Sequence, residues 1–221
     1  NGMNGYRRAA DRDAPSTPSY LYYPATHAQI TYSKTALWLH TLERHLGWDT
    51  LRRAMATYFH RFRFAHPVPD DFFTIVSQEA GHDLGWFFEQ VHGSAVSFDY
   101  AAERLDSVAV SRRGFEDAAA GAAPVFTEAR DEARFDTTVV VRRLGDGRFP
   151  VVVRVLFADG HEVRETWDGQ ARWQQYRYER PARAVSVEVD PERVLLLDAN
   201  YTNNSIALEP QEIIVDLVKR P

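Results

Sequence analysis

The chain has 221 residues, of which 44% are hydrophobic and 13% aromatic, and this composition supports a buried core and excludes global disorder. Lysine and arginine number 26 against 31 acidic residues, and the resulting net charge of -5 disfavours nucleic acid or an anionic membrane as a default partner. Cysteine is absent, which excludes disulfides, thiolate nucleophiles and sulfur-ligated metals but does not fix the compartment.

No apolar run in the sequence approaches the roughly 18 residues that a membrane-spanning helix needs, so no membrane segment is predicted in this chain. The polar start, Asn1 to Gly5, has no apolar signal-peptide region behind it. We expect a soluble chain that begins inside a longer protein.

The first part of the chain is predicted to be helical after an extended start. Residues 1–29 contain three prolines and show no sustained period, so we expect an extended lead-in segment. Apolar residues then recur at helical spacing up to Gly47, which predicts a helix over 31–46. Three more helices are predicted: one that Asp49 or Thr50 caps and that ends before His66-Pro67, one over 72–80 that begins with Pro69-Asp70-Asp71 and is closed by Gly81, and a short one over 84–91.

Beyond Gly93 the apolar residues change from helical spacing to alternation, which indicates a β-rich region. The turn signal Gly145-Asp146-Gly147-Arg148 predicts a hairpin between its two flanking strands. In the second of these strands, the odd-numbered residues from 151 to 157 are expected on one face and Arg154 on the other. At least six strands are predicted, over 135–144, 150–157, 161–167, 172–179, 184–189 and 194–197, with further turns at Asp159-Gly160 and Asp168-Gly169.

These patterns predict an α+β fold in which a helical segment, residues 30–95, is followed by an antiparallel β-sandwich over 96–210. We expect the alanine-rich stretch 118–123 to be a surface loop. Residues 211–221 are predicted to form a terminal helix or tail.

Residue spacing alone predicts neither a metal site nor a nucleophile. Seven of the eight histidines lie between positions 27 and 92, but His40 and His45 are five residues apart, whereas two ligands on one helix face need a separation of three or four. His161-Glu162 begins a stretch similar to a truncated zinc motif, yet it lies in a predicted strand. The sequence contains no His-Glu-x-x-His, no Gly-x-Ser-x-Gly and no glycine-rich phosphate loop. We therefore expect no metal or cofactor bound by this chain itself.

A series of short motifs follows in order along the chain. The helical segment contains Tyr32-Ser33-Lys34-Thr35-Ala36, Gly47-Trp48-Asp49, Ala54-x-x-x-Tyr58, Phe64-x-His66-Pro67-x-Pro69-x-Asp71-Phe72 and Phe87-Phe88-x-Gln90. The β-rich part contains Asp159-Gly160, Leu197-Asp198-x-Asn200 and Asn203-Asn204. In order and spacing, this series resembles the catalytic and following β-rich domains of the M1 family of zinc aminopeptidases.

The resemblance implies the C-terminal portion of a metallopeptidase that hydrolyses N-terminal peptide bonds. In that family a zinc-bound water attacks the peptide carbonyl, a glutamate of the His-Glu-x-x-His motif acts as general base, and a tyrosine hydroxyl donates to the developing oxyanion. Tyr32 matches that tyrosine. Zinc is therefore expected in a longer parent protein, cytoplasmic or membrane-associated, with a peptide as its substrate, and this chain alone should be inactive.

Thr35 departs from the family pattern, because a glycine commonly follows the lysine there. A larger side chain at this position would narrow a substrate subsite or mark a divergent member. Lys34, Asp49 and Asp71 also match family positions, and we assign them structural roles at helix starts and in ion pairs. The alternative function is a non-catalytic M1-like scaffold or peptide-binding protein.

Two further expectations concern binding surfaces. Four aromatic residues of the β-rich part are candidates for a platform that binds sugars or peptides, although core packing and cross-strand pairing are their usual roles: Trp167, Trp173, Tyr176 and Tyr178. The helical segment is expected to expose an apolar surface that the zinc-binding helices would cover, which favours self-association.

Overall fold

The fold places helices before strands, which confirms the predicted α+β class. The structure, a computed structural model, describes residues 2–110, 113–116, 125–128 and 134–208. Helices and helical turns occupy the chain up to Gly93, and the first strand begins at Tyr100. The predicted surface loop 118–123 and the predicted tail 211–221 lie outside the described residues.

The described part of the chain contains five α-helices and two π-helical turns. None of its helices has the length and apolar character that a membrane crossing requires. In chain order the elements are α1 (Gly2–Ala9), a first π-helical turn (Gln29–Lys34), α2 (Thr35–Leu46), α3 (Trp48–Phe62), α4 (Pro69–Ala80), α5 (Gly85–Phe88) and a second π-helical turn (Glu89–Gly93).

Helix α1 lies in the segment predicted to be an extended lead-in. Its Tyr6 is completely buried, and the Tyr6 hydroxyl donates a hydrogen bond to the carbonyl oxygen of Leu197 at 2.9 Å. At Gly5 the helix approaches the first π-helical turn so closely that an added Cβ would lie 2.9 Å from the side chain of Gln29. Tertiary burial therefore forms a helix that the local sequence does not predict.

The observed ends of α4 agree with the capping residues predicted from the sequence, whereas those of α3 do not. The predicted start of α4 is confirmed, since the Asp71 carboxylate accepts a hydrogen bond from the backbone N–H of Val68 at 2.9 Å. The predicted end at Gly81 is also confirmed by its left-handed backbone. Helix α3 instead begins at Trp48, one residue before the predicted caps, and ends at Phe62, well before the predicted boundary at His66-Pro67.

Nine strands form three antiparallel sheets within the described residues. The strands are β1 (Tyr100–Val110), β2 (Arg113–Glu116), β3 (Val125–Glu128), β4 (Arg134–Arg143), β5 (Val151–Phe157), β6 (Glu162–Trp167), β7 (Trp173–Arg180), β8 (Ala184–Val189) and β9 (Ser205–Ala207). The first sheet has the order β1-β4-β7, the second has the order β6-β5-β8-β9, and β2 and β3 pair with each other.

The two larger sheets enclose one hydrophobic core. Val139 and Val141 of β4 and Val187 of β8 are completely buried in the same cluster. In β5 the odd-numbered residues 151–157 are buried and Arg154 is only partly buried, which confirms the predicted alternation. Helical residues such as Leu42 belong to this cluster too, so the core continues from the sheets into the helices.

The hairpin predicted around Gly145-Asp146-Gly147-Arg148 is wrong. The strands on either side of it, β4 and β5, belong to different sheets, so this segment crosses from one sheet to the other. Its glycines have a packing role instead. An added Cβ at Gly145 would lie 2.3 Å from the carbonyl oxygen of Ser97, and one at Gly147 would lie 2.6 Å from the Phe98 ring. Asp159-Gly160, by contrast, does connect the paired strands β5 and β6.

The strand predicted over 194–197 is also wrong. The Asp190 carboxylate accepts hydrogen bonds from the backbone N–H groups of Val194 and Leu195, both at 2.9 Å, and these bonds hold the segment in a turn. Leu195 and Leu197 are completely buried. The apolar spacing that predicted a strand therefore reflects core residues in an irregular segment.

Replacement of Asp71 by Ala should destabilise the protein by about 1 kcal/mol, because the N–H of Val68 loses its side-chain acceptor at the start of α4. Urea unfolding monitored by circular dichroism measures this change. Asp70→Ala is the matched control, since Asp70 lies in the same helical turn and its side chain caps no backbone group among the described residues. Equal destabilisation by the two variants would contradict the capping role.

Gly145→Ala should cost about 2 to 3 kcal/mol of unfolding free energy, because its Cβ must displace the backbone carbonyl of Ser97. Gly160→Ala is the control: it has a positive φ of 81° but no atom within 4 Å of its added Cβ, so only backbone strain of about 1 kcal/mol is expected. Chemical denaturation of the two variants gives the comparison. A smaller loss for Gly145→Ala than for Gly160→Ala would show that the crossing tolerates a side chain.

Candidate active site around Tyr32

Tyr32 lies on the first π-helical turn, which leads directly into α2. Its side chain is 70% exposed, whereas Ile30 and Lys34 on the same turn are completely buried. Such turns are rare in proteins and occur frequently at functional sites. The turn is thus anchored through Ile30 and Lys34 and presents the Tyr32 ring at the surface.

The Tyr32 ring belongs to a row of three neighbouring rings, with His27 and Tyr22. The His27 and Tyr32 rings meet edge to face with their centroids 6.3 Å apart, and the Tyr22 and His27 rings are 5.7 Å apart. The Tyr22 hydroxyl donates to the carbonyl oxygen of Pro15 at 3.2 Å. The Tyr32 hydroxyl has no hydrogen-bond partner among the described residues, so it is available to a ligand.

An apolar groove of about 340 Å³ runs beside this turn. The indole N–H of Trp38 is buried in the groove wall and has no acceptor within the described part of the chain. The groove lies between the first π-helical turn with α2 on one side and α4 with the second π-helical turn on the other. Its principal lining residues are Thr31, Thr35, Trp38, Phe72, Phe73 and His92.

Thr35 is half-buried at the edge of this groove. Its hydroxyl lies 3.5 Å from the carbonyl oxygen of Ile30, to which it donates across the π-helical turn. A glycine at this position would leave that carbonyl without the side-chain donor and would widen the groove. The threonine therefore affects both the π-helical turn and the groove that Thr31 and Thr35 line.

A larger cavity of about 590 Å³ lies on the other side of Phe73 and His92, which line both spaces. Its edge carries three carboxylates, those of Asp70, Asp83 and Glu89. Burial lowers the pKa of His92, and the neighbouring Asp70 and Glu89 only partly oppose this shift. His92 thus lies between an apolar groove and an acidic cavity.

Lys34 has a more unusual environment than its assigned helix-start role predicts. The side chain is completely buried, and burial lowers its pKa to about 8, although the nearby Asp11 and Asp13 favour the charged form. Its Nζ lies 3.4 Å from each of two backbone carbonyl oxygens, those of Ala10 and Ser94. Lys34 thus contacts carbonyl groups rather than the carboxylate of an ion pair.

Asp71 and Asp49 were also expected to have structural roles, and they have them to different degrees. Asp71 caps the start of α4 as described above. Asp49 lies in the first turn of α3, where its carboxylate is 3.9 Å from the guanidinium of Arg52. Because both side chains are mostly exposed, this ion pair contributes little stability.

The histidines are dispersed in the structure. Among the described residues, no group of three or more His, Asp or Glu side chains is arranged to hold a metal ion. His45 packs against the Phe149 ring at a centroid distance of 5.1 Å, and His40 lies 3.1 Å from the Glu43 carboxylate at the surface. These are packing and surface roles.

The proposed aromatic platform on the sheets does not form, so that interpretation is wrong. Trp167 is only 3% exposed, and its ring packs edge to face on Tyr100. Tyr178 packs against Phe157 with centroids 5.9 Å apart. Of the four candidates, only Trp173 is largely exposed, at 56%, because alternate residues of β7 point to opposite faces.

Comparison with known proteins gives likenesses to solved structures and none to sequences. No protein-family model matches the chain, and no curated protein sequence matches it. Among solved structures, the fold is similar to aminopeptidase A from Legionella pneumophila, crystallised in complex with aspartic acid, with a TM-score of 0.48 and 14% sequence identity. The alignment covers 86% of this chain and 20% of that protein, so this chain spans about a fifth of its length.

Because Lys34 is buried, the free energy of unfolding should increase as the pH rises through the alkaline range. Its pKa is about 8 in the folded protein and 10.5 in an ordinary environment, so the unfolded chain binds more protons between these values. The contribution of Lys34 to stability is therefore lowest below pH 8 and increases as the pH rises, by about 2 kcal/mol between about pH 7 and pH 10.

Urea unfolding of the wild-type chain and of Lys34→Met at several pH values measures this contribution. The variant should lack the increase, because methionine has a similar length and does not titrate. A stability difference between the two proteins that stays constant over this pH range would contradict the lowered pKa.

Proposed function

We propose that this chain is the C-terminal portion of an M1-like zinc aminopeptidase that removes N-terminal residues from peptides. The observation that carries the proposal is the position of Tyr32, which is exposed, has no hydrogen-bond partner for its hydroxyl among the described residues, and follows Thr31, a residue that lines an apolar groove. The ordered motif series around and beyond this residue supports the same family. A tyrosine that served only to pack the start of the helix would be buried. Tyr32 is exposed, and the buried packing residues of this turn are Ile30 and Lys34.

In the proposed reaction, Tyr32 stabilises charge on the substrate. Its phenol donates a hydrogen bond to the scissile carbonyl oxygen as that oxygen becomes negative. A donor aimed at new charge in a site that excludes water is worth a factor of ~10² to 10³ in rate. The neighbouring groove, with its apolar walls, is suited to a peptide side chain.

The residues described here do not fit a zinc ion, because they bring no three suitable side chains together. Under this proposal, the zinc ligands and the general base come from a part of the parent protein that this chain does not contain. The chain contributes Tyr32, the groove beside it and a β-rich region that braces the helices. We therefore expect the 221-residue chain alone to lack peptidase activity.

The alternative is a non-catalytic M1-like scaffold or peptide-binding protein. Thr35 favours it, because the threonine side chain occupies space at the groove that a glycine would leave open. In that case the groove would hold a peptide segment without cleaving it. The two functions differ in what the Tyr32 hydroxyl does, and one substitution separates them.

Tyr32→Phe should lower kcat by a factor of ~10² to 10³ in a longer protein that includes the zinc-binding segment, because it removes only the proposed oxyanion donor. Aminopeptidase assays on amino-acid amides measure the rate, and metal analysis should show unchanged zinc content. Tyr20→Phe is the matched control, since Tyr20 is 84% exposed and lies in the preceding 3₁₀ turn Ser19–Leu21. Full turnover by Tyr32→Phe would exclude the catalytic role, and a longer protein that binds peptides without any turnover would support the scaffold.

A further inference from the structure

Lys34 combines full burial with a position two residues after Tyr32 on the same π-helical turn. Burying a lysine is costly unless its ammonium group finds hydrogen-bond acceptors. Here the ammonium has two acceptors, the carbonyl oxygens of Ala10 and Ser94, each 3.4 Å from Nζ. These residues are 24 and 60 positions away in sequence, so Lys34 connects three separate segments.

Both carbonyls lie where a helical element ends. Ala10 follows α1 directly, and Ser94 follows the second π-helical turn. Carbonyl groups at such ends lack partners within the helix and carry partial negative charge, which a buried cation stabilises. The carboxylates of Asp11 and Asp13, the charged groups that act on Lys34, add further attraction.

Asp13 also fixes the loop that precedes the turn. Both of its carboxylate oxygens accept from the backbone N–H of Tyr23 at 3.2 Å, and one accepts from the Thr26 hydroxyl at 2.5 Å. The carbonyl oxygen of Thr26 in turn accepts from the N–H of Ile30 at the start of the turn. The turn is thus held from the loop side by Asp13 and from the core side by Lys34.

Tyr32 itself has few contacts that could orient it. Its hydroxyl is unpaired among the described residues, and its ring makes one aromatic contact, with the exposed His27. The direction of the Tyr32 side chain is therefore set by the backbone of the turn. That backbone is fixed by its two buried residues, Ile30 and Lys34.

We propose that Lys34 is the positioning residue for Tyr32. Its ammonium joins α1, the second π-helical turn and the turn that carries Tyr32 into one unit, and so holds the tyrosine side chain in a single direction. The importance of that direction for catalysis rests on the proposed function. The positioning itself is a property of this chain and is measured without any activity.

The test uses the 221-residue chain with 4-fluorophenylalanine in place of Tyr32, which gives one fluorine resonance at the site and does not titrate. Three variants are compared: Lys34→Met, Lys34→Arg and Thr41→Val. Thr41 is the matched control because it is completely buried on α2 and its hydroxyl connects two distant segments, donating to the Leu37 carbonyl and accepting from the Leu196 N–H. Hydrogen exchange of the backbone amides over 29–35 is measured in parallel.

Lys34→Met should shift and broaden the fluorine resonance and should speed amide exchange over 29–35 by at least about tenfold, the effect of losing roughly one charged hydrogen bond. Lys34→Arg, which keeps the charge and its donors, should change both signals less. Thr41→Val should lower global stability and leave the fluorine resonance in place.

The proposal is overturned if Lys34→Met leaves the fluorine resonance and the amide exchange over 29–35 unchanged. It is also overturned if Thr41→Val, at a similar loss of global stability, changes both signals as much as Lys34→Met does. Should Lys34→Met fail to fold, Lys34→Gln replaces it, since its shorter amide reaches at most one of the two carbonyls. Faster local exchange is then still required. Loss of turnover in Tyr32→Phe is a separate result, so the failure of either proposal is recognised independently of the other.

Discussion

The carboxylate of Asp198 is the interaction on which the arrangement of helices and sheets depends. It is 1% exposed and accepts hydrogen bonds from the backbone N–H groups of Tyr100 and Asn200 and from the side chain of Asn204. These donors belong to the start of β1 and to the segment before β9. Burial raises the pKa of Asp198 to about 6, so the three hydrogen bonds offset a real desolvation cost. The adjacent carbonyl of Leu197 binds the Tyr6 hydroxyl, which attaches α1 to the same junction.

The β-rich region contacts the helices at further points that support a bracing role. The Thr41 hydroxyl on α2 accepts from the N–H of Leu196, and the Arg44 guanidinium donates to the carbonyl of Arg193 at 2.6 Å. The side-chain amide of Gln90 bonds both the N–H and the carbonyl of Arg148 in the crossing between the sheets. Since the core is continuous as well, α2 and the Tyr32 turn rest on a frame that includes both large sheets.

Sequence patterns predicted the elements whose formation depends on near neighbours. The spacing of apolar residues predicted α2, α4 and strand β5, and Pro69 with Asp71 predicted the start of α4. The hairpin at 145–148 was wrong because Asp-Gly turns have the same local chemistry in a hairpin and in a crossing. The close approach of Gly145 to Ser97 decides between them, and it is a contact between distant segments.

In the candidate site, too, the sequence identified residues that are neighbours along the chain but not the contacts between distant segments. Motif resemblance singled out Tyr32, Lys34 and Thr35, which are neighbours in sequence. The groove beside Tyr32 could not be predicted, because α4 and the second π-helical turn bring Phe72 and His92 to it from more than 35 residues away. The full burial of Lys34 was equally hidden, since the carbonyls that accept its hydrogen bonds belong to elements with no sequence signal for such contacts.

The first π-helical turn also sets the rotational phase between Tyr32 and the buried face of α2. Such a turn accommodates one residue more than an α-helical turn would, and each residue of an α-helix rotates the side-chain direction by about 100°. A regular α-helix through 29–34 would keep Trp38 and Leu42 in the core while turning every upstream side chain by about that angle. Lys34 is four residues before Trp38 and lies on the buried face in either geometry, so the extra residue acts on the side chains that precede it, Tyr32 among them. A single-residue deletion in this turn would therefore change the direction of Tyr32 relative to the buried face of α2.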